Sequence, residues 1–305
     1  MPHMIVVAGE SLIDRLVAPD GAIAEVPGGG PFNTARTVAR LGLPVAFLGC
    51  ISTDRHGRLL RGVLETDGVD TSLVMTTEAP TTVAVAHLDD RGGATYRFET
   101  AGTAAPLLDA ATVGAALASR HEALHVGTLG LVLEPMAGAL AAAVATAAPE
   151  MLVIVDPNVR AAAIDDRAGY LERLFHILGR ADVVKASGED LAWLWPSLPA
   201  DAAIRRLVEA GPRLVIVTDG ARPVRCHGAS VALEMPVPDV AVVDTVGAGD
   251  AFGGGFLARW MELGLGREAL DDEAALRDAL RMAVVVAGRT CARRGADPPW
   301  RSELE

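Results

Sequence analysis

Residues 244–250 read Asp-Thr-Val-Gly-Ala-Gly-Asp, between an apolar run at 240–243 and a helical pattern at 251–263. The run 240–243 is expected to be a short strand. Strand, glycine turn and helix in that order aim unpaired backbone N–H groups and the positive end of a helix dipole at an anion. Gly247 and Gly249 let the main chain come close to that anion, because no Cβ intervenes. Asp250 sets a carboxylate beside the same anion site, where it would repel phosphate unless it has chemistry to perform. That chemistry is general-base catalysis: the acid takes the proton of a hydroxyl as the hydroxyl attacks a phosphoryl group. Two plainer readings stand beside it. Asp is a common helix N-cap, and residues 247–253, Gly-Ala-Gly-Asp-Ala-Phe-Gly, loosely match a dinucleotide-binding turn. Such a turn usually opens a domain and wants an acid at the end of the next strand. Here the motif comes late and helical sequence follows it.

The rest of the chain supplies the elements that must hold this turn. Residues 4–8 form a short apolar strand closed by Gly9 and Glu10. Asp14 falls in a strand-like stretch at 11–17, either as a surface turn acid or as an acceptor for a polyhydroxyl substrate. Residues 27–33, Pro-Gly-Gly-Gly-Pro-Phe-Asn, run into a helix expected at 34–41. The glycines are a hinge, or they leave room for a ligand while Asn33 offers both a donor and an acceptor. A strand at 45–50 and a helix at 55–66 follow. Residues 82–88 and 94–99 alternate in polarity around Asp89-Asp-Arg-Gly-Gly93, the pattern of a β-hairpin. With the extended piece 12–26 they make a small β lid, lid segments covering about 12–27 and 81–100; lids exclude water from phosphoryl transfer.

From residue 123 strands and helices alternate regularly. Strands are expected at 123–126, 151–155, 182–184 and 213–218, and helices at 135–147, 167–178, 189–194 and 202–210. This predicts a parallel sheet covered on both faces, with ligands at the carboxyl ends of its strands. Three polar clusters stand at those ends: Asp156-Pro-Asn-Val-Arg160, Lys185-Ala-Ser187 and Thr218-Asp-Gly220. A second hairpin, 222–227 with 230–235, precedes the 244–250 turn, and a last helix is expected at 272–290.

The 305 residues suffice for a large core, and half are hydrophobic with only 4% aromatic, which suits helices packed tightly on a parallel sheet. A formal net charge of −12 argues against nucleic acid and anionic membranes as partners. Cys50, Cys226 and Cys291 show neither paired nor metal-type spacing, as expected of a reducing compartment. With no signal-like start and no long apolar run, the chain reads as soluble and cytoplasmic.

In order and separation, residues 28–42 (Gly-Gly-Gly-Pro-Phe-Asn, then Thr-Ala-Arg-Thr-Val-Ala-Arg-Leu-Gly) and residues 244–250 resemble the two signatures of the ribokinase-like, or phosphofructokinase-B, sugar kinases. The resemblance covers essentially the whole chain, as a single kinase domain. It implies an α/β fold of three layers, α/β/α, with a mostly parallel central sheet and a β lid that often mediates a homodimer. It implies an ATP-dependent carbohydrate kinase using Mg2+ and possibly K+, with Asp250 as catalytic base and the amides of Gly247, Ala248 and Gly249 as anion hole. Asp14, Gly29, Gly30 and Asn33 would hold sugar hydroxyls, and Ser187, Thr218, Gly220 and Val284 would line the nucleotide. Main-chain oxygens at Asp244, Val246, Thr290, Arg293 and Gly295 match a monovalent-cation site. Asp190 stands where relatives carry the acid that organises magnesium-bound water. The stretches 9–14 and 156–160 resemble the fructokinase branch, with Arg160 placed to anchor phosphate or an acidic sugar. 2-Keto-3-deoxygluconate kinase and ribokinase-type activities are the alternatives; a catalytically silent sugar or nucleotide sensor and a dinucleotide-dependent oxidoreductase are those of another class.

Overall fold

The computed structural model describes residues 5–88 and 94–304. The hairpin loop expected at 89–93 lies outside them. Strand β1 (Ile5–Ala8) is followed by the antiparallel pair β2 (Leu12–Val17) and β3 (Ile23–Gly28), and then by helix α1 (Gly30–Arg40). Next come β4 (Val45–Leu48), β5 (Cys50–Ser52), α2 (Arg55–Thr66), β6 (Met75–Thr77), β7 (Val83–Leu88) and β8 (Ala94–Glu99). The regular part runs α3 (Ala110–Ala116), β9 (Ala123–Gly127), α4 (Met136–Ala145), β10 (Leu152–Asp156), α5 (Arg167–Leu178), β11 (Val183–Ser187), α6 (Gly188–Leu194), α7 (Ala200–Glu209) and β12 (Leu214–Asp219). The hairpin β13 (Arg222–Gly228) and β14 (Ala232–Met235) leads by a long loop to α8 (Ala248–Glu262) and α9 (Glu273–Cys291).

The central sheet has eight strands in the order β14-β13-β12-β11-β10-β9-β1-β4. The six strands from β12 to β4 are parallel, and β13 and β14 add an antiparallel edge. The parallel strands are apolar on both faces, as a doubly covered sheet requires. In β1, Ile5 and Val7 point into the core built with α1, α2, α8 and α9. Val6 and Ala8 point the other way, into the core built with α3 to α7. Those two cores make the three layers.

A second sheet, order β3-β2-β7-β8, forms the lid. Leu12 and Ala84 from this sheet bury themselves against Leu129, with Phe98 and Leu133 packed alongside. The lid is therefore anchored on the segment that follows β9 and lies over the carboxyl edge of the central sheet.

Three expected elements come out differently; the first, the strand expected at 45–50, divides at Gly49 into β4 of the central sheet and β5, which pairs with β6. Helix α1 begins at Gly30, four residues early, because Pro31 is tolerated in a first turn and the Gly30 N–H finds a side-chain acceptor in Glu10, 3.0 Å away. The run 240–243 is not a strand. Pro236 and Pro238 cannot donate to a ladder, Val242 and Val243 are 61% and 57% exposed, and the N–H groups of Val243 and Asp244 both turn to the carbonyl of Cys291.

Candidate active site

The carboxyl ends of adjacent strands β1, β9, β10, β11 and β12 deliver Glu10, Thr128, Asn158, Lys185 and Thr218 to one edge of the sheet. Helix α8 enters this edge with its N-terminus. Gly247, at φ 75°, is the N-cap, and no side chain caps the helix. A Cβ at Gly247 would fall 2.5 Å from the Cβ of Ala296, so glycine is required by both conformation and space. Of the three amides expected to form an anion hole, Ala248 donates to Thr245 O at 3.2 Å. Among the described residues the N–H groups of Gly247 and Gly249 have no acceptor.

Asp250 is the third residue of α8, so it is not the N-cap; its carboxylate is directed elsewhere. Oδ2 accepts a hydrogen bond from Asn33 Nδ2 at 2.9 Å, and Oδ1 accepts from Asn158 Nδ2 at 3.3 Å. The Thr34 hydroxyl donates to the Asp250 carbonyl at 3.4 Å. Burial pushes the Asp250 pKa up, while Asn33, Lys185 and Arg160 pull the other way. A buried acid gripped at both oxygens, with a raised proton affinity, is suited to accept a proton from a neutral alcohol.

Asn158 (φ 37°) and Thr128 (φ 52°) are the two non-glycine residues with positive φ among the described residues, and Asn158 donates to the Thr128 hydroxyl at 3.1 Å. Left-handed backbone costs roughly 1–2 kcal/mol at each such residue, and strain of this kind collects where side chains must be aimed. Here it aims the second amide at Asp250.

Lys185 supplies the positive charge beneath the turn. Its Nζ donates to Asp156 Oδ2 at 2.9 Å, with both side chains buried. A Cβ placed on Gly249 would fall 2.9 Å from the same Nζ. Burial opposes the lysine charge, but the carboxylates of Asp156, Asp190 and Asp250 more than offset it and hold its pKa above the ordinary value. Burial raises the Asp156 pKa to about 6, with Lys185 acting against the rise.

The lid contributes Asp14, on β2 between β3 and β7. Burial, and then the nearby Asp250, lift its pKa to about 6, with Arg160 opposing. A Cβ at Gly28 would stand 2.0 Å from Asp14 Oδ2, and one at Gly30 would stand 2.2 Å from Thr128 Oγ1. Gly28 and Gly30 thus leave room for Asp14 and Thr128, and Gly29 lies against the Glu10 carbonyl, where a Cβ would fall 2.7 Å away. Arg160, exposed after β10, and Tyr96 of β8 stand near Asp14; the Tyr96 pKa is raised by burial and then by Asp14, with Arg160 opposing.

Of the expected nucleotide residues, Ser187, Thr218 and Gly220 lie at the ends of β11 and β12, on the same edge, and Val284 does not. Ser187 is the N-cap of α6, and its hydroxyl and backbone form a reciprocal capping box with Asp190. Thr218, next to last in β12, pairs with Ser187, and Gly220 (φ 57°) turns the chain into β13. Val284 is buried in α9, within the core shared with α8. Asp190 accepts from Ser187 N at 2.7 Å and from Val159 N at 2.6 Å, so its carboxylate ties the β10 loop to α6. The five residues matched to a cation site also come together: Asp244 accepts from Val246 N at 3.0 Å and from Gly295 N at 2.8 Å, drawing the loops 244–246 and 293–295 against the end of α9. Thr290 is fully buried, its hydroxyl bonded to Val286 O.

Sequence reasoning placed Asn158, Lys185 and Glu10 at strand ends without giving them roles, and it missed Thr128 and Tyr96. The polar clusters after β10 and β11 were the available signal for the first two; nothing local marks Thr128.

An acid, bare amides and a buried lysine at the carboxyl edge of a parallel sheet, under a β lid, suit phosphoryl transfer to a hydroxyl. The pfkB family carbohydrate kinase pattern matches residues 3–303, and the chain belongs to that family. It is 35% identical to a fructokinase of Rhizobium leguminosarum bv. trifolii, over 84% of this chain and 79% of that one. It is 31% identical to fructokinase-1 of Oryza sativa subsp. japonica, over 99% and 96%. Among solved structures, fructokinase from Xylella fastidiosa with bound ATP superposes with a TM-score of 0.91 at 31% identity, covering 100% of this chain and 97% of that one. Aminoimidazole riboside kinase from Salmonella enterica, solved with its riboside and an ATP analogue, gives 0.87 at 25% identity, covering 99% and 98%.

Proposed function

We propose that the protein is an ATP-dependent fructokinase-type sugar kinase, and that Asp250 is its base. The observation that carries this reading is the grip on both Asp250 oxygens by Asn33 and Asn158, beside the unpaired N–H groups of Gly247 and Gly249. The sugar lies between Asp14, Asn33 and Arg160, with a hydroxyl directed at Asp250. As its oxygen bonds to the γ-phosphorus, the proton passes to Asp250 and the bond to the β-phosphate oxygen breaks, leaving ADP. The amides of Gly247 and Gly249 and the charge of Lys185 stabilise negative charge on the moving phosphoryl group. The lid keeps water from competing with the sugar.

Magnesium would come with the nucleotide and neutralise phosphate charge when bound. Asp156 Oδ1 is buried without a partner, and Asp190 stands beside it in the electrostatics of Lys185; these acids fit a cation that keeps its water shell. A monovalent cation such as K+ fits the main-chain oxygens of the loops that Asp244 joins. The lid is the candidate homodimer surface, since Ile23 and Tyr96 expose large apolar side chains on it. No helix among the described residues is long and apolar enough to cross a membrane, and the free cysteines accord with action in the cytoplasm.

A coupled assay of ADP release tests the reading. Across fructose, ribose, 2-keto-3-deoxygluconate, tagatose phosphate and nucleosides, fructose should give the highest kcat/KM. ATP consumption indifferent to every added sugar would end it.

A further inference from the structure

Helix α1 and the single 3-10 turn after β9 draw on one acceptor from outside their own sequence. Neither has a side-chain cap of its own: the N-caps are Gly29 and Gly127. One buried carboxylate serves both. Glu10, fully buried, accepts from Gly30 N through Oε1 at 3.0 Å and from Gly130 N through Oε2 at 2.9 Å.

Each N-terminus carries one of the side chains that lead to Asp250. Three residues beyond Gly30, Asn33 donates to Asp250 Oδ2. Two residues before Gly130, Thr128 accepts from Asn158, whose amide also donates to Asp250 Oδ1. We propose that Glu10 is a positioning residue for the phosphoryl transfer: its two oxygens fix the two helical N-termini that carry Asn33, which donates to Asp250 Oδ2, and Thr128, which accepts from the Asn158 amide that donates to Oδ1. This rests on the assignment of Asp250 as base.

The geometry accounts for the choice of side chain. Burial pushes the Glu10 pKa up to about 8, with the N–H groups of Gly30 and Gly130 among those pulling it down. Charged or neutral, a carboxyl has acceptor lone pairs on both oxygens, whereas a glutamine of the same shape presents an NH2 to one of two N–H donors and must release it. No rotation of the amide satisfies both. A Cβ at Gly29 would fall 2.7 Å from the Glu10 carbonyl, so the backbone of residue 10 and the start of α1 are also in close contact. The side-chain hydrogen bonds of Glu10 go to the two termini, although its charge and that of Asp250 repel each other.

The test compares Glu10→Gln with the wild type and with Val144→Ala, which perturbs the α4 core remote from the site. Thermal midpoints are measured first, and kinetics are run well below all of them. We expect E10Q to lose at least about tenfold in kcat, with KM for ATP and sugar held within about threefold, the pattern of a lost transition-state interaction. V144A should keep its kcat whatever its midpoint. An E10Q enzyme that melts lower yet turns over like V144A would show a merely structural role and overturn the proposal. If E10Q does not accumulate folded, Thr128→Val removes the acceptor that connects Gly130 to Asn158 without touching Glu10. The same kcat-selective loss supports the proposal, and an unchanged kcat overturns it. Failure of the Asp250 assignment is seen separately, as Asp250→Asn turning over at the wild-type rate.

Discussion

Lys185 Nζ and Asp156 Oδ2 lie 2.9 Å apart with both side chains buried, directly below the Gly249 turn. The pair keeps a positive charge close to Gly249, and it lets two costly ions share one buried space. Replacing Lys185 with Met keeps the volume but leaves Asp156 uncompensated. Breaking a buried pair in this way costs about 3–5 kcal/mol, unless Asp156 takes up a proton and recovers part of it. Urea unfolding of K185M should show a clear loss, together with a fall in kcat. A variant as stable and active as the wild type would mean that the pair is incidental.

Asp250→Asn should bind ATP nearly as the wild type does and lose turnover by about 10²–10⁴, the usual worth of a general base. The asparagine also sets an NH2 against one of the amides of Asn33 or Asn158. Isothermal titration with a non-hydrolysable nucleotide, alongside steady-state rates, separates the two effects.

The turn glycines should differ in how they fail. Gly247→Ala places a side chain at φ 75° and its Cβ 2.5 Å from Ala296 Cβ, so both stability and activity should drop. Gly249→Ala meets only the end of Lys185, so the fold should persist while the lysine is displaced and the amide is screened. A loss of roughly 10²–10³ in kcat is expected for a spoiled anion hole. Circular dichroism melts with paired kinetics will tell the two apart.

The pH dependence follows from Asp14, whose pKa is raised to about 6. An acid with a raised pKa is neutral below that value and charged above it, and accepting sugar hydroxyls requires the charged form. Hence kcat/KM for the sugar should rise with pH through about 6, with Asp156 titrating in the same range, and hold above it. The stability contribution has the opposite sign. Between the unfolded value near 4 and the folded value near 6 the native state binds more protons, so this group makes the fold less stable as pH rises. Asp14→Asn should raise KM for the sugar while leaving KM for ATP in place. A flat sugar profile from pH 5 to 7.5 would contradict the role.

Much of this protein is written locally. The period of alternating strands and helices, the ends of α2 and α5 at Asp54-capped and Asp166-capped turns, and the glycines at 247 and 249 are set by neighbours a few residues apart. Hydrophobic spacing and capping therefore suffice to find them. The path of residues 240–243 was not legible, because an apolar run reads as a strand until two prolines deny it a ladder and Cys291 supplies its acceptor. Whether Asp250 was a cap or a base could not be decided locally either. The structure excludes the cap, because Gly247 takes the N-cap, and it brings Asn33, 217 residues away, and Asn158, 92 residues away, onto the Asp250 carboxylate. Glu10 and Gly130, 120 residues apart, belong to the same class. Contacts of that separation leave no periodic trace in a chain, since they exist only after the parallel strands have laid their carboxyl ends side by side.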